Sequence, residues 1–415
     1  MRIAGVDIRN FKSFGNAAVT LGRFNVIIGP NAAGKSNFVD IFSFLTDCAR
    51  EGFANAVSLQ GGGEYIRNLR AAPAEATEIA VSLDAGAAPI RVRFFRDGGR
   101  VVEAVVGSCT YSLSLNCTAA ACTIASEEIA AACTYHLVDG NGFSSSLGAG
   151  EIRLSRSADG GVGCTVAPPG MAPEPDCTPL ATAPLAPDES MLENPVIYPS
   201  FSPLVYQIRN FFRDIGHYDI DPRLAKHAAE LSGRADLDRD GGNLAVVLRA
   251  ILSDPERRHR AWAHVQELLP FIREIGVERV TDRSLITTLK EEYAGRAIPS
   301  FLVSDGTINL TALVALLYFE DKPVVIIEEP ERNIHPNLIA KLVSMMQDVA
   351  EHRHRQILIT THHPEVVKYA GMTNILLLKR DPDGYSAVTR PAEREELEVF
   401  LETMGIDELY VQDLL

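Results

Sequence analysis

The 415-residue sequence has no apolar run long enough to cross a bilayer, and even "ALVALLYFEDK" stops at charges. Its start, "MRIAGVDIRNF", lacks the apolar core and small-residue cleavage site of a secretion signal. A cytoplasmic location is therefore expected. Neither a long heptad run nor an internal repeat is present, which excludes a coiled-coil arm and a solenoid. Seven cysteines occur without a C-x-x-C pair or a histidine at ligand spacing, so no zinc site is expected. Cys109, Cys117, Cys122 and Cys133 fall close together and are expected as free thiols in a reducing compartment. Positive charge is also short. Lys and Arg number 39 against 54 Asp and Glu, a net charge of −15. That excess argues against coating nucleic acid with the whole surface, while leaving room for a local basic groove. The best basic run, "DPERRHRAWAH" at 254–264, is expected as a solvated helix face.

What is present is an ordinary globular balance, 46% hydrophobic and 22% charged. The length suits two or three domains, or one large domain with insertions. The N-terminal region reads as "RIAGVDIRNF", an alternating strand, and "RFNVIIG", a buried strand running into glycine. "KSNFVDIFSFLTDCA" then places Phe38, Ile41, Phe42 and Leu45 at helical spacing. From about 77 to 165 the chain alternates in short β-like segments between Gly-rich turns. Residues 167–190 are Pro/Ala-rich and read as a linker or excursion. Residues 202–275 turn helical, with Pro255 and Pro270 as breaks. Residues 295–390 alternate strand and helix, which predicts a largely parallel sheet. The N-terminal strand–loop–helix is expected to join it, with the middle inserted.

Three motifs carry chemistry. "GPNAAGKS" at 29–36 fits G-x-x-x-x-G-K-[ST] between a predicted strand and a predicted helix. Glycines there let backbone N–H groups curl around phosphates, Lys35 neutralises β/γ charge, and Ser36 can ligand Mg²⁺. "VVIIEEPERNIHP" at 324–336 ends a β-branched strand in two adjacent carboxylates, Glu328 and Glu329. Successive residues diverge at a strand's end, so one can serve the metal and the other water. "ILITTHHPEVV" at 357–367 delivers His362 and His363 to the end of another buried strand, where His362 could sense a γ-phosphate. His363 is expected outside the direct site. A fourth segment, "LVSDGTINL" at 302–310, looks like a second phosphate-facing helix start.

Taken in order, these segments and the opening "IAGVDIRNFKSF" resemble the ABC-type ATPase heads of the RecF, SMC and OLD (overcoming lysogenization defect) group. The likeness is strong over 1–83 and 295–390 and weak in the β-rich middle, while "DRDGGNLAVVL" at 238–248 is similar to many stand-alone members. It implies an α/β fold: an ABC-type P-loop ATPase head with an inserted β-rich segment and a helical subdomain. The implied parts are 1–83 with Walker A, 84–190 as β-rich insertion and linker, 191–294 as helical subdomain, 295–390 with signature, Walker B and switch histidine, and 391–415 as an acidic helical tail.

The resemblance also implies roles. Gly29, Asn31, Gly34, Lys35, Ser36 and Asn37 form Walker A, and Lys12 and Ser13 approach the nucleotide. Glu328 takes the Walker B role on Mg²⁺, where many relatives have Asp, and Glu329 is the general base. Asn333 and His335 lie in the D-loop segment, and His362 matches the switch histidine. Ser304 and Gly306 correspond to the ABC signature, with Asp305 in place of a glycine. Gln60 is the first glutamine after Walker A, and it comes early for a Q-loop. The implied cofactors are ATP and Mg²⁺. The implied assembly is a head-to-tail homo-oligomer with ATP between subunits. With only about 25 residues after "LLLKRDPDGYSAVTRP", a nuclease domain of the Toprim kind is not expected in cis. The expected function is an ATPase regulating a separate effector in prokaryotic anti-phage defence. The alternative is a RecF-like repair ATPase that binds DNA directly, and a distant one is a transporter's nucleotide-binding subunit. No membrane partner is expected.

Overall fold

The structure is a computed structural model that describes residues 1–72, 75–86, 88–96, 100–119, 121–138, 144–170, 184–194, 201–231, 233, 236–393 and 405–412. In chain order it opens with β1 (Arg2–Phe11), β2 (Phe14–Thr20), β3 (Phe24–Ile28), α1 (Lys35–Glu51), α2 (Phe53–Leu59) and α3 (Gly63–Ile66). Six strands follow: β4 (Thr77–Asp84), β5 (Ile90–Arg96), β6 (Arg100–Cys117), β7 (Cys122–Val138), β8 (Ser144–Arg156) and β9 (Val162–Val166). Next come α4 (Ser202–Arg213), β10 (Gly216–Tyr218), α5 (Pro222–Ala225), β11 (Ala229–Glu230), α6 (Leu244–Ser253), α7 (Pro255–Leu268), β12 (Ile272–Thr281), β13 (Ser284–Glu291) and β14 (Ile298–Pro299). The remainder is α8 (Asp305–Phe319), β15 (Val324–Glu328), α9 (Pro336–His352), β16 (Gln356–Thr361), α10 (Pro364–Ala370), β17 (Ile375–Arg380), β18 (Ser386–Thr389) and a last helix, Ile406–Val411. The chain divides into two compact units.

The first unit comprises Met1–Gly22, Asn31–Ile215 and Leu378–Val388. Its sheet runs β2-β1-β4-β6-β7-β8-β9, with β5 on β6, and every pairing is antiparallel. One face is covered, as the alternating burial of "TEIAVSLD" in β4 reflects. An aromatic cluster of Phe11, Phe14, Phe38, Phe42, Phe44 and Phe53 fixes α1 against the first strands. Each is fully buried, worth about 1.5–3 kcal/mol apiece. The sequence reading missed β2, because "FGNAAVT" is short and low in β-branched residues; it pairs along β1 from Gly5↔Thr20 to Phe11↔Phe14.

Two expectations are corrected in this unit. Cys117 and Cys122 are not free thiols: they face each other in the β6–β7 register and form a disulfide. Cys164 is likewise disulfide-bonded, while Cys48, Cys109 and Cys133 are free and buried. The Pro/Ala-rich stretch falls mostly outside the described residues, but its end at 184–194 is no loose linker. Glu127, wholly buried, accepts from Tyr111 Oη at 2.8 Å, Ser190 Oγ at 2.6 Å and the Met191 N–H at 2.8 Å. Burial pushes the Glu127 carboxyl up, and those three donors oppose it. Buried Arg156 donates to the carbonyls of Ile124 and Ala186 at 3.0 and 2.6 Å. Together these two side chains strap 184–194 to β7 and β8.

The second unit comprises Arg23–Pro30, Gly216–Leu377 and Thr389–Leu415. Its main sheet follows the order β10-β15-β16-β3-β17, with β18 beyond, and these first five strands pair in parallel. "FNVII" is buried at all five positions and "QILITT" at all six, the pattern of central parallel strands covered on both faces. Helices α9 and α10 make the crossovers that parallel neighbours need. β3, the strand that precedes the Gly-rich loop, thus lies at the sheet's centre, between β16 and β17. The region expected to be helical, 191–294, also holds a β-hairpin: β12 and β13 pair in a small sheet with β11 and β14. "SLITTLKE" is rich in β-branched residues, and burial of Leu285 to Leu289 on this hairpin explains why it is extended.

Candidate functional site

Register places the motif ends along one edge of the parallel sheet. Glu328 pairs with Thr360, and Thr361 pairs with Ile28, so β15, β16 and β3 terminate together. Glu328 is the last residue of β15, and Glu329 follows in the left-handed region at φ 46° with its N–H bonded to the Thr360 carbonyl at 2.9 Å. Lys12, Ala32 and Asn333 also have positive φ, at 46°, 62° and 61°. Backbone held in that region by non-glycine residues costs energy and concentrates where geometry is demanded. Four of the six such residues among those described lie in the motif segments, beside Asn10 and His354.

The two carboxylates diverge into separate surroundings. Glu328 Oε1 lies 2.8 Å from His217 Nε2 and 3.3 Å from Arg239 Nη2. The hydrogen bond from His217 holds the Glu328 carboxyl below its usual range, against the opposing pull of burial. Glu329 instead meets His362, with Oε1 2.9 Å from Nδ1, and Arg332, with Oε2 3.3 Å from Nη2. Arg332 is itself anchored 2.9 Å from Asp219. Beneath them Thr361 donates to buried Glu331, and the His363 N–H donates to Thr361 Oγ1 at 2.9 Å. Burial pushes the Glu331 carboxyl up. His335 and His363 are helix caps: each Nδ1 accepts from the N–H two residues on, at Asn337 and Glu365.

The signature segment is tied to the same loop. Ser304 caps α8, its Oγ accepting from the Thr307 N–H at 3.2 Å. Asp305 forms an ion pair with Lys226. A Cβ on Gly306 would come within 2.4 Å of the Asn333 carbonyl, so only glycine fits there. Asn309 donates to the carbonyls of Pro330 and Arg332 at 3.2 and 2.7 Å, binding α8 to the turn that carries Glu329.

In the first unit, Asn31 to Gly34 run into α1, whose N-cap Gly34 is left-handed at φ 110° and offers no side chain to the first-turn N–H groups. No acidic residue occupies that first turn. The loop is braced from behind. Ser386 Oγ lies 2.6 Å from the Ala33 carbonyl and 2.7 Å from Ser13 Oγ, Asn37 Nδ2 donates to Ser13 Oγ at 2.7 Å, and Arg380 Nε donates to the Ala32 carbonyl at 2.9 Å. A Cβ at Gly34 would strike the Ser386 hydroxyl at 2.2 Å. Lys12 pairs with Asp40 of α1 at 2.5 Å. A cleft of about 430 Å³ adjoins these groups, lined among others by Lys12, Ser13, Asn37, Tyr65, Arg70 and Arg380. Gln60 follows α2 and does not line this cleft.

Sequence reasoning missed His217, Arg239, Arg332, Ser386 and Arg380. Arg239 and Arg332 had a signal: Arg239 sits in the "DRDGG" segment set apart by its likeness to relatives, and Arg332 sits inside "VVIIEEPERNIHP".

Residues 1–83 match the family model described as an AAA ATPase domain, and residues 202–368 match that described as "AAA domain, putative AbiEii toxin, Type IV TA system". Two stretches of the chain thus resemble AAA-type ATPase domains, and the fold is consistent with that of an ABC-type P-loop ATPase head. Its fold is similar to the SMC head bound to the C-winged helix domain of ScpA: identity is 15%, 96% of this chain and 100% of that one are covered, and the TM-score is 0.52. The SMC head domain from Thermotoga maritima covers 94% of this chain and 99% of its own at 14% identity and TM-score 0.39. The SMC head from Pyrococcus furiosus, with its extended coiled coil bound to the C-terminal domain of ScpA, covers 96% and 98% at 13% and 0.45. The fold rests on the first of these. Comparison with curated proteins finds no match. Among the described residues, no helix is long and apolar enough to cross a membrane.

Proposed function

We propose that this ATPase closes as a head-to-tail dimer around ATP and, in doing so, regulates a separate effector protein. The observation that carries the reading is the tie between α8 and the Glu329 turn, through Gly306 against Asn333 and through Asn309. A phosphate seated at Ser304 and Gly306 by a second subunit would thereby report to the carboxylate that acts on water. The residues suit the cofactor. The uncapped, acid-free start of α1 suits a phosphate, and the hard oxygens of Ser36 and Glu328 suit Mg²⁺. Such an ion needs only one or two protein oxygens and completes its shell with phosphate and water.

In this reading Gly29, Asn31, Gly34, Lys35 and Asn37 hold the phosphates, with Lys12 and Ser13 beside them. Ser36 and Glu328 would hold the magnesium, which supplies charge neutralisation at the transferring phosphoryl group. Glu329 orients water and accepts its proton. His362 and Arg332 each hold one oxygen of that carboxylate, which fixes its direction. A role in anti-phage defence draws its support from the AbiEii-type match alone.

The test is Glu329→Gln with ATP and Mg²⁺, followed by measurement of mass in solution. The variant is expected to bind ATP, lose turnover and accumulate as a dimer. Failure to shift in mass, together with hydrolysis by isolated wild-type monomer, would overturn the shared site. Co-purification from the native operon tests the effector: a nuclease, protease or toxin companion supports it, and recovery alone with gapped DNA favours the repair reading.

A further inference from the structure

The basic run read from sequence as a solvated face is split in two by the fold. Arg257 and Arg260 turn toward Phe319, with guanidinium carbons 5.6 and 6.0 Å from its ring. Pro255, Arg258, His259 and Trp262 fall on a different stripe of α7, at the i, i+3, i+4, i+7 spacing of one helix face. That stripe and β12 enclose a pocket of about 340 Å³, completed by Leu252, Arg273, Glu274 and Ile275. Trp262 is the only tryptophan in the chain. Its indole N–H is sealed from solvent and has no acceptor among the described residues, an unfavourable arrangement that a bound acceptor would relieve. His259 lies 6.2 Å from it, ring to ring.

We propose that this pocket docks a segment of a partner protein, taking one apolar side chain against Trp262 and an adjoining carboxylate on Arg258. The floor is apolar, from Leu252, Pro255, Trp262 and Ile275, and Trp and Arg are the residues that dominate protein interfaces. The volume suits one or two side chains. Charge decides between partners. A nucleic acid needs a row of cations tracking its phosphates. Here Arg257 and Arg260 face elsewhere, Arg273 is committed to Glu292 at 2.5 Å, and Glu274 adds a negative charge at the wall. One cation beside an apolar floor matches a single carboxylate, not a polyanion. The docking site goes beyond the ATPase reading and does not depend on ATP turnover.

The experiment pans a phage-displayed random heptapeptide library on the full chain, then titrates the synthetic consensus peptide while recording Trp262 fluorescence. Enrichment of an aromatic or aliphatic residue next to Asp or Glu is expected, with a saturable spectral change. Arg258→Glu, an exposed position, should weaken that peptide at least tenfold and leave ATP hydrolysis unchanged. A consensus without an acidic residue, or binding indifferent to Arg258→Glu, would overturn the proposal. So would a fifteen-nucleotide oligo-dT that shifts the fluorescence more tightly than the peptide.

Discussion

Helices α1 and α8 both begin where a phosphate is expected, yet their first turns are made differently. Gly34 gives α1 a left-handed N-cap with no side chain, no acid follows in the first turn, and the loop is braced from outside by Ser386 and Arg380. At α8, Ser304 satisfies the Thr307 N–H itself, and Asp305 brings a carboxylate neutralised by Lys226. The first start has no side-chain cap and adds Lys35. The second has already used part of its capacity. By this difference α1 would hold nucleotide tightly within one subunit, and α8 would make a weaker contact that forms and releases with each cycle.

The largest expected effect breaks the first side of that comparison. Lys35→Ala should weaken binding of a fluorescent ATP analogue on the order of 100-fold, the loss of about 3 kcal/mol that a charge-assisted hydrogen bond supplies. Ser304→Ala should leave that binding intact. Equal losses in both variants would show that the two helix starts do the same job.

Next comes Gly306→Ala. Its Cβ would sit 2.4 Å from the Asn333 carbonyl, a backbone atom that cannot step aside. Thermal unfolding should register a loss of about 1–3 kcal/mol from overpacking. ATP-dependent dimerisation should be lost while single-subunit nucleotide binding persists. Retained dimerisation would separate the signature from the shared site.

A smaller effect is expected of Ser304→Ala itself. Losing a serine cap costs roughly 1 kcal/mol. Calorimetry should show that loss without ATP, and sedimentation should show weaker association with ATP. Ser304→Asp offers the sharper contrast, because it keeps the cap and places a negative charge where a phosphate is expected. Stability should recover in that variant and association should not.

How much of this was legible in the sequence follows from where the information resides. The parallel sheet was readable because "FNVII", "VVIIE" and "QILITT" are short runs dominated by β-branched and apolar residues, and a strand buried on both faces needs no partner to declare itself. The motif ends were readable because phosphate chemistry demands particular residues at fixed spacing. β2 was missed because its strand character comes from pairing and burial, and the β12–β13 hairpin because it lies within a stretch read as helical although "SLITTLKE" is rich in β-branched residues. The Cys117–Cys122 disulfide depends on a hairpin register that no spacing rule gives. His217 and Arg239 are hard to find for a related reason: each reaches Glu328 from an element distant in sequence, and single polar residues carry no periodicity.

His217 also supplies the finest test of the difference between the two carboxylates. Its hydrogen bond is the main cause holding the Glu328 carboxyl below the ordinary range. A depressed carboxyl contributes stability that is present above its unfolded value and is lost as pH falls through the folded value. In His217→Ala that carboxyl should move upward, so protonation begins at a higher pH. The stability gap between wild type and variant should be full near neutrality and close in acid. Hydrolysis measured against pH at saturating Mg²⁺ should show its acid limb displaced upward in the variant, with the basic limb unmoved. His362 and Arg332 each hold one oxygen of the Glu329 carboxylate, so His362→Ala should lower turnover by freeing its direction. An unmoved acid limb in His217→Ala would overturn the role assigned to Glu328.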